Sequence, residues 1–151
     1  MVPPAGGLQI DKIMDGEKTD YTLIFDGGSL GNPGPGYGSY VLVRNRDGKS
    51  RTQRLDFQED MTSNEAEYQA LIAGLDDLVS TIRKAGRSPQ GFSLEVRGDS
   101  RLILYQVARR WKTKKPHLMP LRDKVEELLE GFGSITLIWQ RRDKSERVLG
   151  H

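Results

Sequence analysis

The chain has no cysteine, only a small net charge and no long apolar run, and each absence excludes a class of protein. Without cysteine there is no disulfide bond and no zinc site built on thiolates, which fits a reducing compartment. No segment approaches the roughly 18 apolar residues of a membrane-spanning helix, and residues 1–20 lack the apolar core of a secretory signal. We therefore expect a cytoplasmic protein without a membrane partner.

Charge is unevenly distributed along the chain. A net charge of +2 is too small to indicate a nucleic-acid partner by itself. Residues 109–117, however, read RRWKTKKPH, with five lysines and arginines, no acid and one tryptophan. Such a run can bind phosphates, and a merely solvated loop is an equally open reading. The candidate contact residues in this run are Arg110, Trp111, Lys112 and Lys114.

The pattern of apolar residues predicts one α/β domain. At 151 residues the chain is long enough for a single core, with residues 1–19 as a flexible tail and residues 20–151 as the domain. Strands are predicted over residues 21–25, 36–44, 49–57, 92–97 and 134–140, and helices over residues 62–86, 100–111, 121–130 and from about residue 144. This order predicts a five-stranded mixed sheet flanked by helices, with three antiparallel strands and two parallel ones.

Three acids are predicted to meet at one edge of this sheet. Asp26 ends the first strand and Asp99 follows the fourth, and two parallel neighbours would bring both carboxyl ends to the same edge. Glu67 precedes Leu71 by four residues on the apolar stripe of the first helix, so it points toward the sheet. A carboxylate in such a place is costly to bury unless it is paired, protonated or bound to a metal ion. A partly exposed acid at the edge of the stripe is the structural alternative.

Acids gathered in this way favour a magnesium or manganese site. A hard divalent cation with oxygen ligands keeps neighbouring carboxylates ionised together. Magnesium usually completes its shell with water and substrate phosphate, so the site implies a phosphate substrate. Two such ions about 4 Å apart can support hydrolysis of a phosphodiester.

The glycine-rich run after Asp26 is weak evidence when taken alone. It can build tight turns or present backbone amides to a phosphate. It is not a Walker loop, since the Gly-Lys-Ser at residues 48–50 lies in a predicted hairpin with Val43 in place of the first glycine. A dinucleotide fingerprint is also excluded, because a hairpin and not a helix follows the run.

Three motifs together resemble type 1 ribonuclease H. They are DGGSLGNPG at residues 26–34, TSNEAE at residues 62–67 and GDS at residues 98–100. The resemblance implies the ribonuclease H-like fold and cleavage of the RNA strand of an RNA/DNA hybrid with Mg²⁺ or Mn²⁺, two ions when substrate is bound. It also implies that Asp26 bridges both ions while Glu67 and Asp99 hold one of them. The residues implied to line the hybrid groove are Gly27, Gly28, Asn32, Ser63, Asn64 and Ser100.

The chain departs from the family pattern near its end. The fourth acid of the family usually stands seven residues after an arginine in the final helix, and counting from Arg142 reaches Leu149, which binds no metal. With a connecting loop two residues longer, His151 would take that place as a neutral ligand, and Glu146 is a second substitute. A solvated chain end is the alternative for His151. The family's loop histidine has no counterpart, because His117 fits a surface loop.

Two other readings of the whole chain stay open. One is a hybrid-binding module of the same fold whose chemistry has failed for want of the fourth ligand. The other is a different nuclease of the ribonuclease H fold, which the Asn-Pro-Gly at residues 32–34 disfavours. No separate basic helix is present, as in the compact archaeal-type subgroup, and we expect a monomer.

Overall fold

The computed structural model describes residues 18–141, which form a five-stranded sheet with its helices. The elements in chain order are β1 (Tyr21–Ser29), β2 (Gly34–Arg44), β3 (Lys49–Met61), α1 (Ser63–Lys84), β4 (Ser93–Gly98), α2 (Arg101–Val107), α3 (Met119–Glu130) and β5 (Ser134–Trp139). Short 3₁₀ turns at Pro89–Gly91 and Pro116–Leu118 precede β4 and α3.

The sheet has the strand order β3-β2-β1-β4-β5. The pairs β1–β2 and β2–β3 are antiparallel, whereas β1–β4 and β4–β5 are parallel. The predicted mixed sheet is therefore confirmed. The hairpin between β2 and β3 also forms as predicted, with Gly48 at a φ of 75°, a left-handed conformation that glycine adopts without strain.

The main core lies between one face of the sheet and the helices. It contains alternate residues of the central strands, among them Leu23 and Phe25 of β1 and Leu94 and Val96 of β4, and the apolar stripe of α1. Ile24 and Val41 form a small separate cluster. Because side chains alternate along a strand, this division places the helices on the face that Leu23 and Phe25 share.

Several predicted boundaries differ from the observed ones. Three strands extend further than predicted. Strand β1 continues to Ser29, β2 begins earlier at Gly34, and β3 continues to Met61. The helix predicted over residues 100–111 is wrong in its second half, since α2 ends at Val107. Arg109 has a φ of 62°, which ends the helix although arginine carries no stop signal.

Both chain ends bear on the domain prediction. The side-chain amide of Asn45 donates a hydrogen bond to the main-chain oxygen of Thr19 at 3.0 Å, so this residue of the predicted tail contacts the sheet. Residues 1–17 and 142–151 lie outside the described residues. The terminal helix and the substitute ligands His151 and Glu146 lie there as well, so all three stay predictions.

Candidate active site

The parallel register of β1 and β4 places two acids side by side. Phe25 of β1 lies opposite Gly98 of β4, and the next residues are Asp26 and Asp99. Asp26 is 4% exposed and Asp99 is half-buried. This is the edge at which ligands usually bind in open α/β sheets, because the carboxyl ends of the parallel strands meet there.

The start of α1 brings the third acid to the same edge. Thr62 caps the helix: its hydroxyl accepts from the backbone N–H of Glu65, and the Glu65 carboxylate accepts from the backbone N–H of Thr62. The first turns lie directly on β1, since a Cβ atom on Gly27 would stand 2.6 Å from the carbonyl carbon of Ala66. Only glycine permits this approach, and it sets Glu67 beside the end of β1.

Asp26, Glu67 and Asp99 form one cluster. Each offers a carboxylate oxygen, and these oxygens lie within 4.8 Å of one another. Oxygens bound to one Mg²⁺ at about 2.0–2.1 Å are roughly 3–4 Å apart, so small side-chain movements would suffice to share an ion. Carboxylates this close repel each other, and a hard cation relieves the repulsion. The donor set therefore fits a divalent metal ion.

The β1–β2 loop is joined to the first turn of α1. The side-chain oxygen of Asn32 accepts from the backbone N–H of Ser63 at 3.1 Å. The hydroxyls of Ser29 and Ser63 share a hydrogen bond of 3.2 Å. Two of the predicted groove residues, Asn32 and Ser63, thus lie together at the start of the helix that carries Glu67.

The other predicted groove residues near the acids have structural partners. Gly27 is buried under α1, and a Cβ atom on Gly28 would stand 2.7 Å from the hydroxyl of Tyr37. The hydroxyl of Ser100 accepts from the backbone N–H of Ile103 and caps α2. Contact of these three residues with nucleic acid stays a prediction.

A basic groove opens between the start of α1 and the segment after α2. Its volume is about 550 Å³, and the predicted residues Asn64, Arg110, Trp111, Lys112 and Lys114 all contribute to its lining. Apolar walls come from Leu102 and Leu118. The structure therefore joins the cationic run to the helix that carries Glu67, although the two are far apart in the chain.

Two contacts hold the segment after α2 in place. The guanidinium of Arg109 donates two hydrogen bonds, of 2.6 and 2.8 Å, to the carboxylate of Glu126 in α3. The pKa of Arg109 is raised by this hydrogen-bonded pair. The ring of Trp111 packs on Tyr105 with centroids 4.8 Å apart and stays 46% exposed. The tryptophan thus presents an exposed aromatic surface at the wall of the groove.

Reasoning from the sequence missed two structural residues around the site. Tyr68, next to Glu67, donates a buried hydrogen bond of 2.7 Å to the side-chain oxygen of Gln106 and so ties α1 to α2. Trp139, the last residue of β5, donates from its indole nitrogen to the main-chain oxygen of Asp99 at 3.0 Å. Neither position carries a motif, although a glutamine at an apolar helix position was a signal of a buried partner.

The sequence profile of the reverse transcriptase-like family matches residues 24–148 and so contains all three acids. Ribonuclease HI of Halobacterium salinarum is 34% identical over an alignment of 149 positions, which covers 90% of this chain and 70% of that protein. The chain belongs to the ribonuclease HI family. Another relative, the bifunctional protein Rv2228c of Mycobacterium tuberculosis, is 36% identical over 121 residues, and the chain spans 31% of its length.

Solved ribonuclease H structures agree with this membership. The ribonuclease H1 of Halobacterium salinarum superposes with a TM-score of 0.67 at 35% identity, covering 84% of this chain and 89% of that one. LC11 ribonuclease H1, solved in complex with an RNA/DNA hybrid, gives a TM-score of 0.69 at 28% identity and again covers 84% of this chain and 89% of that one. The predicted ribonuclease H-like fold is thereby confirmed.

Proposed function

We propose that this protein is an endonuclease that hydrolyses the RNA strand of RNA/DNA hybrids with Mg²⁺ or Mn²⁺. The observation that carries the proposal is the meeting of Asp26, Glu67 and Asp99, whose oxygens lie within 4.8 Å in a chain of the ribonuclease HI family. Three elements far apart in sequence supply these acids. Carboxylates this close repel one another, and a divalent cation held between them would relieve that repulsion.

Each acid has a distinct place in the proposed chemistry. Asp26, the most buried of the three, would bridge two ions, while Glu67 and Asp99 would together hold one of them. The ions would supply an activated water and stabilise the leaving oxygen of the phosphodiester. The chain itself contributes a rigid frame, because Asp26 lies within β1, Asp99 directly follows β4 and Glu67 lies in a capped helix.

The basic groove supports a nucleic-acid substrate of some length. Lys112 and Lys114 are exposed, and with Arg110 they give the groove a positive lining next to Trp111. Phosphates would meet the cations, and short polar side chains such as Asn32, Ser63 and Asn64 suit the 2′-hydroxyls of the RNA minor groove. These contacts would place the scissile RNA phosphate at the three acids.

Asp99→Asn is the sharpest test of the site. It removes a negative charge and keeps the shape of the side chain, so we expect cutting of a labelled RNA/DNA hybrid to fall at least a hundredfold while the fold persists. Asp76→Asn, an exposed acid on α1, is the matched control and should cut like the wild type. Single- and double-stranded DNA should stay intact in all samples. Equal cutting by Asp99→Asn and the control would refute the proposed site.

An impaired hybrid-binding module is the second candidate, and Leu149 is the residue that favours it. Leucine stands where the family carries an acid, at a position outside the described residues. Leu149→Asp and His151→Asp would discriminate between the two readings. A large gain in cutting at unchanged hybrid binding would support an impaired enzyme, whereas full activity in the unmodified chain would reject that reading.

The cellular setting stays a prediction. We expect a cytoplasmic monomer, and the mass of the purified protein by light scattering would test the second part. Among residues 18–141, no helix is both long and apolar enough to cross a lipid bilayer.

A further inference from the structure

Trp139 lies beside the end of β4, where the turn that carries Asp99 begins. It is the last residue of β5 and stands opposite Gly98, the last residue of β4. The regular pairing of β4 and β5 ends at this pair, but two further hydrogen bonds join the residues after β5 and the end of β5 to the end of β4 and its turn. The backbone N–H of Gln140 donates to the oxygen of Gly98 at 2.9 Å, and the indole N–H of Trp139 donates to the oxygen of Asp99 at 3.0 Å.

The indole ring is itself held in place. The guanidinium carbon of Arg101 lies 4.2 Å from the centre of the Trp139 ring, within the range of a cation–π contact. Arg101 is the first residue of α2, and Ser100 caps that helix through Ile103. The turn from Gly98 to Arg101 is therefore fixed by the sheet before Asp99 and by the helix after it.

The hydrogen bond from the indole restrains the peptide that joins the sheet to the helix in this turn. The carbonyl of Gly98 accepts from the backbone of Gln140, and the carbonyl of Ser100 accepts from the backbone N–H of Leu104. Between them, the carbonyl of Asp99 accepts from the side chain of Trp139. This hydrogen bond thus restrains the backbone angles at Asp99, on which the placement of its side chain beside Asp26 and Glu67 depends.

We propose that Trp139 is a positioning residue that holds the Asp99 carboxylate in its metal-binding orientation through the main chain. The inference rests on the proposed function of the three acids. Metal ligands must be held to within about half an ångström, so a donor that fixes the backbone next to a ligand affects metal affinity without touching the ion.

Trp139→Phe removes the indole donor and keeps an aromatic ring under Arg101. We expect the affinity for Mn²⁺, measured by calorimetry on the free protein, to fall about three- to tenfold, the effect of removing one hydrogen bond. The turnover number on hybrid should fall by a similar factor at fixed low Mg²⁺, with KM for the hybrid unchanged. Added Mg²⁺ should restore part of the rate.

Ile135→Val is the matched control for a loss of stability alone. Ile135 is a buried core residue of β5, and this change costs about 0.5–1.5 kcal/mol of stability without removing a hydrogen bond. We expect its Mn²⁺ affinity to equal that of the wild type. If Trp139→Phe binds Mn²⁺ and cuts hybrid like Ile135→Val, the positioning role is wrong.

A spectroscopic measurement separates this inference from the proposed function. The chain has two tryptophans, so a nitrogen–proton spectrum shows two indole signals. On addition of Mg²⁺ the signal of Trp139 should shift and that of Trp111 should not. If the wild type cuts no hybrid, the nuclease proposal fails, while the shift and the Mn²⁺ affinity still test Trp139. An unmoved Trp139 signal in an active enzyme overturns the positioning role alone.

Discussion

Gly98 lies against the aromatic ring of Phe25, its partner in the parallel pair of β1 and β4. A Cβ atom on Gly98 would stand 2.6 Å from Cε1 of that ring. The absence of a side chain on Gly98 therefore sets the separation of the two strands directly before Asp26 and Asp99. The packing of Phe25 on Gly98, each one residue before an acid, thus controls the geometry of the site.

Gly98→Ala should damage both the stability and the site. The added methyl group must displace the ring of Phe25 in the core, and overpacking of this kind costs about 1–3 kcal/mol. Because Asp99 follows directly, we also expect a loss of hybrid cutting at saturating Mg²⁺. Urea denaturation and the cutting assay measure the two effects.

Gly91→Ala provides the comparison for that variant. A Cβ atom at Gly91 would meet nothing within 4 Å, so its effect on stability should stay within about 0.5 kcal/mol. Equal urea midpoints for the two variants would contradict the close packing of Gly98 on Phe25.

The cationic segment should set the salt dependence of hybrid binding. Replacement of Lys112, Lys114 and Lys115 by Ala removes three exposed charges that line the groove. Each phosphate that is no longer neutralised reduces the slope of log K against log salt by roughly 0.7–0.9, so the slope should flatten by up to about three units. Fluorescence anisotropy with a hybrid at several salt concentrations gives the slope.

A second triple variant separates local from general charge effects. Lys49, Lys84 and Lys124 are exposed and lie on the β2–β3 hairpin, the end of α1 and α3. Their replacement by Ala changes the net charge by the same amount and should leave the slope nearly unchanged. Identical slopes for the two triple variants would indicate that the cationic segment is merely a solvated loop.

Tyr40 should make the folded state sensitive to high pH. Burial and the hydrogen bond of 2.6 Å from its hydroxyl to Asp77 raise the pKa of Tyr40 well above its usual value. In the unfolded chain the pKa is about 10, so the protonated phenol stabilises the fold fully below about pH 10 and progressively less as the pH rises above that value. We expect the free energy of unfolding to fall in this alkaline range.

Tyr40→Phe tests this dependence. The variant should lose about 1–2 kcal/mol at neutral pH, because the hydrogen bond to Asp77 is removed while Arg51 still pairs with that acid. Its free energy of unfolding should then depend less on pH in the alkaline range. Tyr37→Phe removes an exposed phenol and should keep the alkaline slope of the wild type. A Tyr40→Phe slope as steep as the wild type's would refute the role of this phenol.

The strands and the acids at their ends were predictable because local patterns specify them. The capping box at Thr62 and Glu65 and the Asp47-Gly48 turn act within a few residues, and both are present in the structure. The end of α2 was not predictable in this way. Its apolar pattern continues past Val107, and the left-handed Arg109 is stabilised by Glu126, a residue of another helix.

The sequence alone determined which acids meet, since carboxylates near the ends of buried strands and on an apolar helix stripe indicate a shared edge of the sheet. Only the tertiary structure decided how they are held. The approach of α1 to Gly27, the ring of Phe25 over Gly98 and the indole of Trp139 on Asp99 are contacts between distant segments. Such contacts depend on three-dimensional packing and carry no local signal, so no pattern of neighbouring residues predicts them.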